Sequence, residues 1–129
     1  MGSEMCIRDS PDTLDWLSES QMLHFSWSSQ ARGYFLQDGD RDRLPFSTSP
    51  ERCFGSERNA ERRQRAQALA VKYGVTANNI AAAWCLAQPF PSFALTGPRS
   101  VDEIVTTLPA LSVPLSQSEV DWLNLKAER

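Results

Sequence analysis

The sequence predicts an α/β fold in which two short parallel strands are joined through helices. Two apolar runs, residues 22–27 and 92–96, have the length and composition of strands. The segments between and around them carry apolar residues at helical spacing or begin with helix-capping residues. Strands that are joined through helices are expected to pair in parallel, with a right-handed crossover.

The first predicted helix begins at Ser10-Pro11-Asp12. A serine at the N-cap, a proline at the first helical position and an acid near the positive end of the helix dipole all favour a helix start. Leu14 and Leu17 give this helix an apolar stripe. Residues 22–27 then predict a buried strand, and residues 28–33 predict the loop that follows it.

Two helices are predicted between the strands, after a long surface loop at residues 37–56 that has no hydrophobic period. The first helix covers residues 57–73, and Gly74 ends it as a C-cap. Thr76 caps the second helix, which runs to residue 87, ahead of a proline.

Two further helices are predicted after the second strand, because two serines are each followed three positions later by a glutamate. The pairs are Ser100 with Glu103 and Ser116 with Glu119. This spacing predicts capping boxes, in which each side chain accepts a hydrogen bond from a backbone N–H group at the helix start. The predicted helices cover residues 101–109 and 117–126.

Length and composition exclude several classes of protein. The chain has 129 residues, whereas a complete (β/α)8 barrel needs about 250. No apolar run approaches the ~20 residues that cross a bilayer, and no secretory signal pattern is present. With 13 Lys+Arg against 16 Asp+Glu, the chain is not expected to bind nucleic acid. Cys6, Cys53 and Cys85 are widely spaced, which favours free thiols, a cytoplasmic location and no metal site.

Residues 1–9 are expected to be a tail outside the fold, which leaves residues 10–129 as the folded domain. The tail has no helical or strand periodicity, and residues 2–9 are similar to the translation of a transposon-type sequencing-library adapter. Two parallel strands alone leave both outer sheet edges unpaired. We therefore expect the chain to be part of a longer protein.

The segments that follow the two strands are the candidate functional site. The single histidine, His24, lies inside a predicted strand with no neighbouring acid, so a packing role is expected and a nucleophilic triad is not. The common nucleotide-binding and zinc motifs are absent. Residues 27–33 and 96–100 follow the two strands, and in a parallel α/β barrel such loops lie on the C-terminal face, where ligands bind.

Arg99 and Ser100 are typical of a phosphate site. They precede a predicted helix whose N-terminal N–H groups favour an anion, and a guanidinium group can bind phosphate through two parallel hydrogen bonds. The alternative is that Ser100 is only a cap and Arg99 is solvated. Trp27 has a similar ambiguity, because an aromatic residue at the end of a strand either packs in the core or stacks on a ligand.

The order and spacing of these segments resemble the C-terminal part of an aldo-keto reductase. The resemblance implies strands seven and eight of a (β/α)8 TIM barrel with their helices, an NADP(H) cofactor and a small-molecule carbonyl substrate. It runs from about Leu14 to Leu125. The blocks that carry it are Trp27-Ser28-Ser29-Gln30-Ala31-Arg32-Gly33-Tyr34-Phe35, residues 68–88 with Ala81-Ala82-Ala83-Trp84, Leu95-Thr96-Gly97-Pro98-Arg99-Ser100 and Leu115-Ser116.

The resemblance implies a set of cofactor-binding residues in three groups. An aromatic residue stacks on the nicotinamide, the first loop runs along the pyrophosphate, and the second loop with the helix after it holds the adenosine 2′-phosphate, ribose and base. Thr107 stands where the family commonly has Asn, Thr106 where it commonly has Glu, and Ser29 where it often has Pro. The implied residues, in that order of groups, are Trp27; Ser28, Gln30 and Arg32; and Gly97, Arg99, Ser100, Glu103 and Thr107.

No catalytic residue of the family is matched in this chain. The resemblance implies hydride transfer from nicotinamide to a carbonyl carbon, while a tyrosine with a pKa lowered by a lysine protonates the oxygen. Those groups come from the N-terminal half of the barrel, so we expect the chain alone to be inactive. Two alternatives remain open: a non-catalytic nucleotide-binding module, and an unrelated small α/β interaction domain.

Overall fold

A computed structural model describes residues 11–36 and 54–126 of the chain. The expected tail at residues 1–9, the predicted N-cap Ser10, and Cys6 and Cys53 lie outside the described residues, as do residues 37–53 of the predicted long loop.

The described residues confirm an α/β fold with one pair of parallel strands. Residues Phe25 and Phe93 are partners at the centre of the pair, which is in register from His24 opposite Ser92 to Ser26 opposite Ala94. Short 3-10 turns cover Ala31–Gly33 and Leu108–Ser112. The elements in chain order are α1 (Pro11–Ser20), β1 (His24–Ser26), α2 (Glu57–Tyr73), α3 (Ala77–Leu86), β2 (Ser92–Ala94), α4 (Val101–Thr107) and α5 (Gln117–Leu123).

Both strands are shorter than predicted. The first strand was predicted to be buried, and this is wrong for the face that carries Phe25. Ser26 is buried, but Phe25 and Phe93 are 56% and 47% exposed and stack on each other with ring centroids 5.1 Å apart. The reason is that α3 packs against the sheet on one side, while no described element covers the Phe25 side.

The core lies where α2, α3 and α5 meet. Small residues, among them Ala66 and Ala81, are fully buried and allow the helices to approach closely, while Trp84 and Leu69 fill the space between them. The indole Nε1 of Trp84 donates a hydrogen bond of 3.0 Å to Asn124 Oδ1 just after α5. This buried bond ties the segment just after α5 to the last turn of α3.

Arginines on α2 bind the carbonyl groups at the end of α5. Arg65 Nη1 donates to the Trp122 carbonyl at 2.6 Å, and the buried Arg62 donates through Nε to the Leu123 carbonyl at 3.3 Å. Cations are favourable at a helix C-terminus, where carbonyl groups lack helical partners. These bonds fix α5 against α2.

Helix starts follow the sequence closely, with one correction. Ser116 and Glu119 form the predicted capping box with both of its bonds. At α4 the Ser100 hydroxyl accepts from the Glu103 N–H at 3.2 Å, but the Glu103 carboxylate accepts from the Arg99 N–H at 2.6 Å rather than from the N-cap. The predicted box at Ser100 is therefore wrong in its second bond.

Helix ends differ more from the predictions. Residues 57–73 were predicted and are observed, because Gly74 takes the left-handed conformation (φ 66°) that ends α2. The next helix ends at Leu86 instead of 87. In contrast, α4 ends at Thr107, where a 3-10 turn containing Pro109 takes over, and α5 ends at Leu123 rather than at residue 126.

Candidate functional site

The two loops that follow β1 and β2 lie side by side. We call residues 27–33 the first strand-end loop and residues 96–100 the second. The Leu95 N–H donates to the Ser26 carbonyl at 3.0 Å, so the pairing of the strands continues to the point where the loops begin. The structure thus brings together the two segments that the sequence singled out.

The first strand-end loop has an unusual backbone. Ser28, Ala31 and Arg32 all have positive φ angles, of 57°, 47° and 53°. Such left-handed conformations cost about 1 kcal/mol or more for residues other than glycine. Within the loop, the Ala31 N–H donates to the Ser28 carbonyl at 2.7 Å and the Gly33 N–H to the Gln30 carbonyl at 3.0 Å. The loop is a tight, locally bonded turn.

A side-chain hydrogen bond connects the first loop to α4. Gln30 Nε2 donates to Thr107 Oγ1 at 3.1 Å, and that hydroxyl donates to the Glu103 carbonyl at 2.8 Å. The Glu103 carboxylate in turn accepts from the Arg99 N–H. Four of the predicted cofactor-binding residues therefore form one continuous chain of bonds from the first loop to the second.

The remaining predicted residues lie at the same end of the sheet. Trp27 is 49% exposed, so its indole does not lie in the core of the described residues. Arg32 and Arg99 are exposed on their loops, and Ser28 is half-buried. Nothing lies within 4 Å of the position where a Cβ at Gly97 would stand, so packing does not require a glycine there.

Comparison with known proteins identifies the family. The model of the Aldo/keto reductase family matches residues 8–128, nearly the whole chain. The chain belongs to the aldo/keto reductase family. No curated protein matches it. The resemblance inferred from the sequence is confirmed, and the family is one of oxidoreductases built on a TIM barrel, with which two parallel strands and their helices are consistent.

The described part of this aldo/keto reductase chain holds one cluster of a tyrosine, a lysine and an acid, but not at the strand ends. Glu119 Oε1 accepts from Lys72 Nζ at 2.6 Å, and Glu119 Oε2 accepts from the Tyr73 hydroxyl at 2.8 Å. This hydrogen bond to a carboxylate raises the pKa of Tyr73, and burial of the phenol adds to the increase. The cluster lies where α2 meets α5, and the Tyr73 hydroxyl bonds there to Glu119 rather than facing the strand-end loops.

The same cluster holds α5 against α2. Burial by itself acts to raise the pKa of Glu119, but hydrogen bonds from Lys72, the Ser116 N–H and Tyr73 outweigh it and lower the pKa to about 2. The bond to Glu119 also raises the pKa of Lys72. The carboxylate thus joins the cap of α5 to the last turn of α2, and the sequence indicated only the cap.

Other reactive groups of this aldo/keto reductase chain have packing roles. The ring of His24 makes an edge contact with Phe90, with centroids 5.8 Å apart, as the packing interpretation predicts. Cys85 is buried and free of disulfides.

Within residues 11–36 and 54–126, no group of His, Cys, Asp and Glu could hold a metal, and no helix has the length and apolarity to cross a membrane.

Sequence reasoning missed Ser29, which lies between two of the predicted pyrophosphate contacts. Its side chain is buried, and its hydroxyl donates to the Leu95 carbonyl at 2.9 Å. In the sequence Ser29 shows only as a substitution for a frequent proline of the aldo/keto reductase family. The partner, a backbone carbonyl 66 residues away, leaves no signal in local spacing.

Proposed function

We propose that this chain is the cofactor-binding C-terminal part of an NADP(H)-dependent aldo/keto reductase. In this proposal β1 and β2 are strands seven and eight of a (β/α)8 barrel that a longer protein completes, and the reaction is reversible hydride transfer between nicotinamide and a small carbonyl compound or alcohol. The observation that carries the proposal is the hydrogen-bonded connection of the two strand-end loops, Gln30 to Thr107, within a chain matched to the family almost end to end.

The exposed sheet face supports the barrel part of the proposal. Phe25 and Phe93 stack on the face that no described element covers. In a closed barrel, side chains alternate between the interior and the surrounding helices along each strand. The buried Ser26 faces the helices, so the two phenylalanines belong to the interior layer.

The side chains at the strand ends fit a phosphate-bearing dinucleotide. Arg32 and Arg99 bring positive charge to both loops of a chain whose net charge is -3. Serine hydroxyls and the Gln30 amide add neutral donors, and Trp27 offers an exposed aromatic ring. In the proposed site Trp27 contacts the nicotinamide, the first loop the pyrophosphate, and the second loop the 2′-phosphate.

The adenine end of the proposed site depends on Glu103 and Thr107. One oxygen of Glu103 accepts from the Arg99 N–H, which leaves the other oxygen to accept a ribose hydroxyl. The Thr107 hydroxyl donates its one proton to the Glu103 carbonyl and accepts from Gln30, so towards the base it can only accept one further hydrogen bond. Adenine recognition is therefore the part of the site that departs furthest from the family pattern.

The chain by itself is proposed to bind the cofactor without turning it over. When bound, NADP(H) supplies or accepts the hydride, while the proton has to come from a tyrosine near the nicotinamide. The chain has two tyrosines. Tyr34 is buried, and Tyr73 is bonded to Glu119 at the α2–α5 contact. The proposal assigns the proton donor to another part of the barrel and the whole protein to the cytoplasm.

Titration of the 129-residue chain with NADPH, followed by quenching of tryptophan fluorescence, tests the proposal. Loss of a charge-assisted hydrogen bond of about 1.5–3 kcal/mol weakens binding about 10- to 100-fold, so Arg99→Ala is expected to raise the Kd for NADPH by that factor. Arg58→Ala removes the same charge from an exposed position on α2 and is the matched control.

NADH provides the second comparison, because it lacks the 2′-phosphate. If Arg99 binds that phosphate, Arg99→Ala weakens NADPH binding much more than NADH binding. Absence of NADPH binding by the unchanged chain, or equal effects of Arg99→Ala and Arg58→Ala, contradicts the proposal.

A further inference from the structure

We infer that Ser29 is a positioning residue, which holds the first strand-end loop against the end of β2 and so sets the relative position of the two loops. For the identity of the ligand, the inference rests on the proposed function. The anchoring role rests on the contacts of Ser29 alone, and it can be tested without nucleotide.

Ser29 is placed to anchor the loop rather than to touch a ligand. Its side chain is 2% exposed, and its hydroxyl donates to the Leu95 carbonyl at 2.9 Å. Its own carbonyl lies 3.9 Å from the Cys85 thiol, which donates to it from α3. Ser29 therefore contacts both the end of β2 and the helix behind the sheet.

The bonds within the first loop do not fix where the loop lies relative to β2. The turn at Ala31 and Gly33 closes on carbonyl groups of the same loop. A turn with three left-handed residues other than glycine is strained, and strained backbone persists only when its surroundings hold it. Ser29 stabilises the loop through its hydrogen bond to the end of β2, and Gln30 through its hydrogen bond to α4.

Leu95 connects the hydrogen bond of Ser29 to the second loop. It directly precedes residues 96–100, and its N–H is bonded to Ser26 while its carbonyl accepts from Ser29. The N–H of Leu95 thus continues the strand pairing, and its carbonyl fixes the first loop to the residue before the second loop. A nucleotide that contacts both loops binds well only if the loops keep this spacing, so loss of the hydroxyl reduces affinity without removing a ligand contact.

Ser29→Ala tests the inference, with Ser26→Ala as the matched control. Ser26 is also a buried serine, and its hydroxyl lies 3.5 Å from the Ser92 hydroxyl, a partner within the strand pair rather than between the loops. Hydrogen–deuterium exchange on the nucleotide-free 129-residue chain is the first readout. Ser29→Ala is expected to speed exchange about tenfold in residues 27–33 and 95–100, as for one lost hydrogen bond, and to leave α2 and α3 unchanged.

The affinity for NADPH is the second readout, with an expected rise in Kd of about tenfold for Ser29→Ala and no change for Ser26→Ala. Exchange that is unchanged in Ser29→Ala, or equally fast in Ser26→Ala, overturns the anchoring role. Faster exchange with an unchanged Kd overturns the role in nucleotide binding. If the unchanged chain binds no NADPH, the proposed function fails, while the exchange data still decide whether Ser29 anchors the loops.

Discussion

The contact of Glu119 with Lys72 and Tyr73 predicts a specific dependence of stability on pH. Hydrogen bonds lower the pKa of Glu119 from its ordinary value of 4.5 to about 2 in the folded chain. Because the folded value lies below the unfolded one, the stabilisation is fully present above about pH 4.5. It is lost as the pH falls from 4.5 towards 2.

The size of the effect follows from the shift and from the exposure of the partners. The shift to about 2 corresponds to an upper limit of ~3 kcal/mol. The Lys72 side chain is 49% exposed and water screens its charge, so we expect about 1–2 kcal/mol. Glu119→Gln keeps the size of the side chain and removes the charge, and it is expected to lower the free energy of unfolding by that amount at pH 7.

Urea denaturation followed by far-ultraviolet circular dichroism measures the difference between the unchanged chain and the variant at several pH values. The difference is expected to shrink between pH 4.5 and 2. Asp121→Asn is the control. Asp121 Oδ1 accepts a surface hydrogen bond of 3.2 Å from Gln117. Its loss is expected to change the free energy of unfolding by no more than about 0.5 kcal/mol. A difference for Glu119→Gln that stays constant from pH 7 to 2 would refute the reasoning.

Two further predictions concern the end of α2 and the reaction. Gly74→Ala is expected to destabilise the chain by about 1 kcal/mol, because φ is 66° there while nothing lies within 4 Å of an added Cβ. Gly97→Ala is the control, because an added Cβ there also meets open space. Equal urea midpoints for both variants contradict the explanation by backbone strain. The 129-residue chain is expected to show no NADPH-dependent reduction of an aldehyde, measured by absorbance at the nicotinamide band, because Tyr34 is buried and Tyr73 is bonded to Glu119. Turnover by the purified chain contradicts the assignment of the proton donor to another part of the barrel.

The sequence predicted those features that depend on neighbours along the chain. The bounds of α2 are correct because Gly74 marks its end and apolar spacing marks its face, while the structure adds Ser56 as its N-cap. The capping box at Ser116 is correct for the same reason. At Ser100 the same spacing predicted only the first bond, since the Glu103 carboxylate accepts from the N–H of Arg99 rather than from that of Ser100.

Features that depend on distant partners could not be predicted. The apolar run at residues 22–27 indicates burial, yet burial requires a covering layer, and the described helices cover only one face of the strands. The hydroxyl of Ser29 and the amide of Gln30 find partners 66 and 77 residues away. The sequence predicted which loops form the candidate site, whereas the bonds that register them emerged from the structure, and the cofactor roles of the loop residues stay predictions.

The bond between Gln30 and Thr107 also bears on how the candidate site is assembled during folding. Its ends are 77 residues apart, and the intervening chain includes α2, α3 and β2. Closing so long a loop is entropically unfavourable until contacts between these elements hold its ends together. We therefore expect the contact between the candidate loop and α4 to form late, after the helical core, so that its formation marks a chain that has reached its native topology.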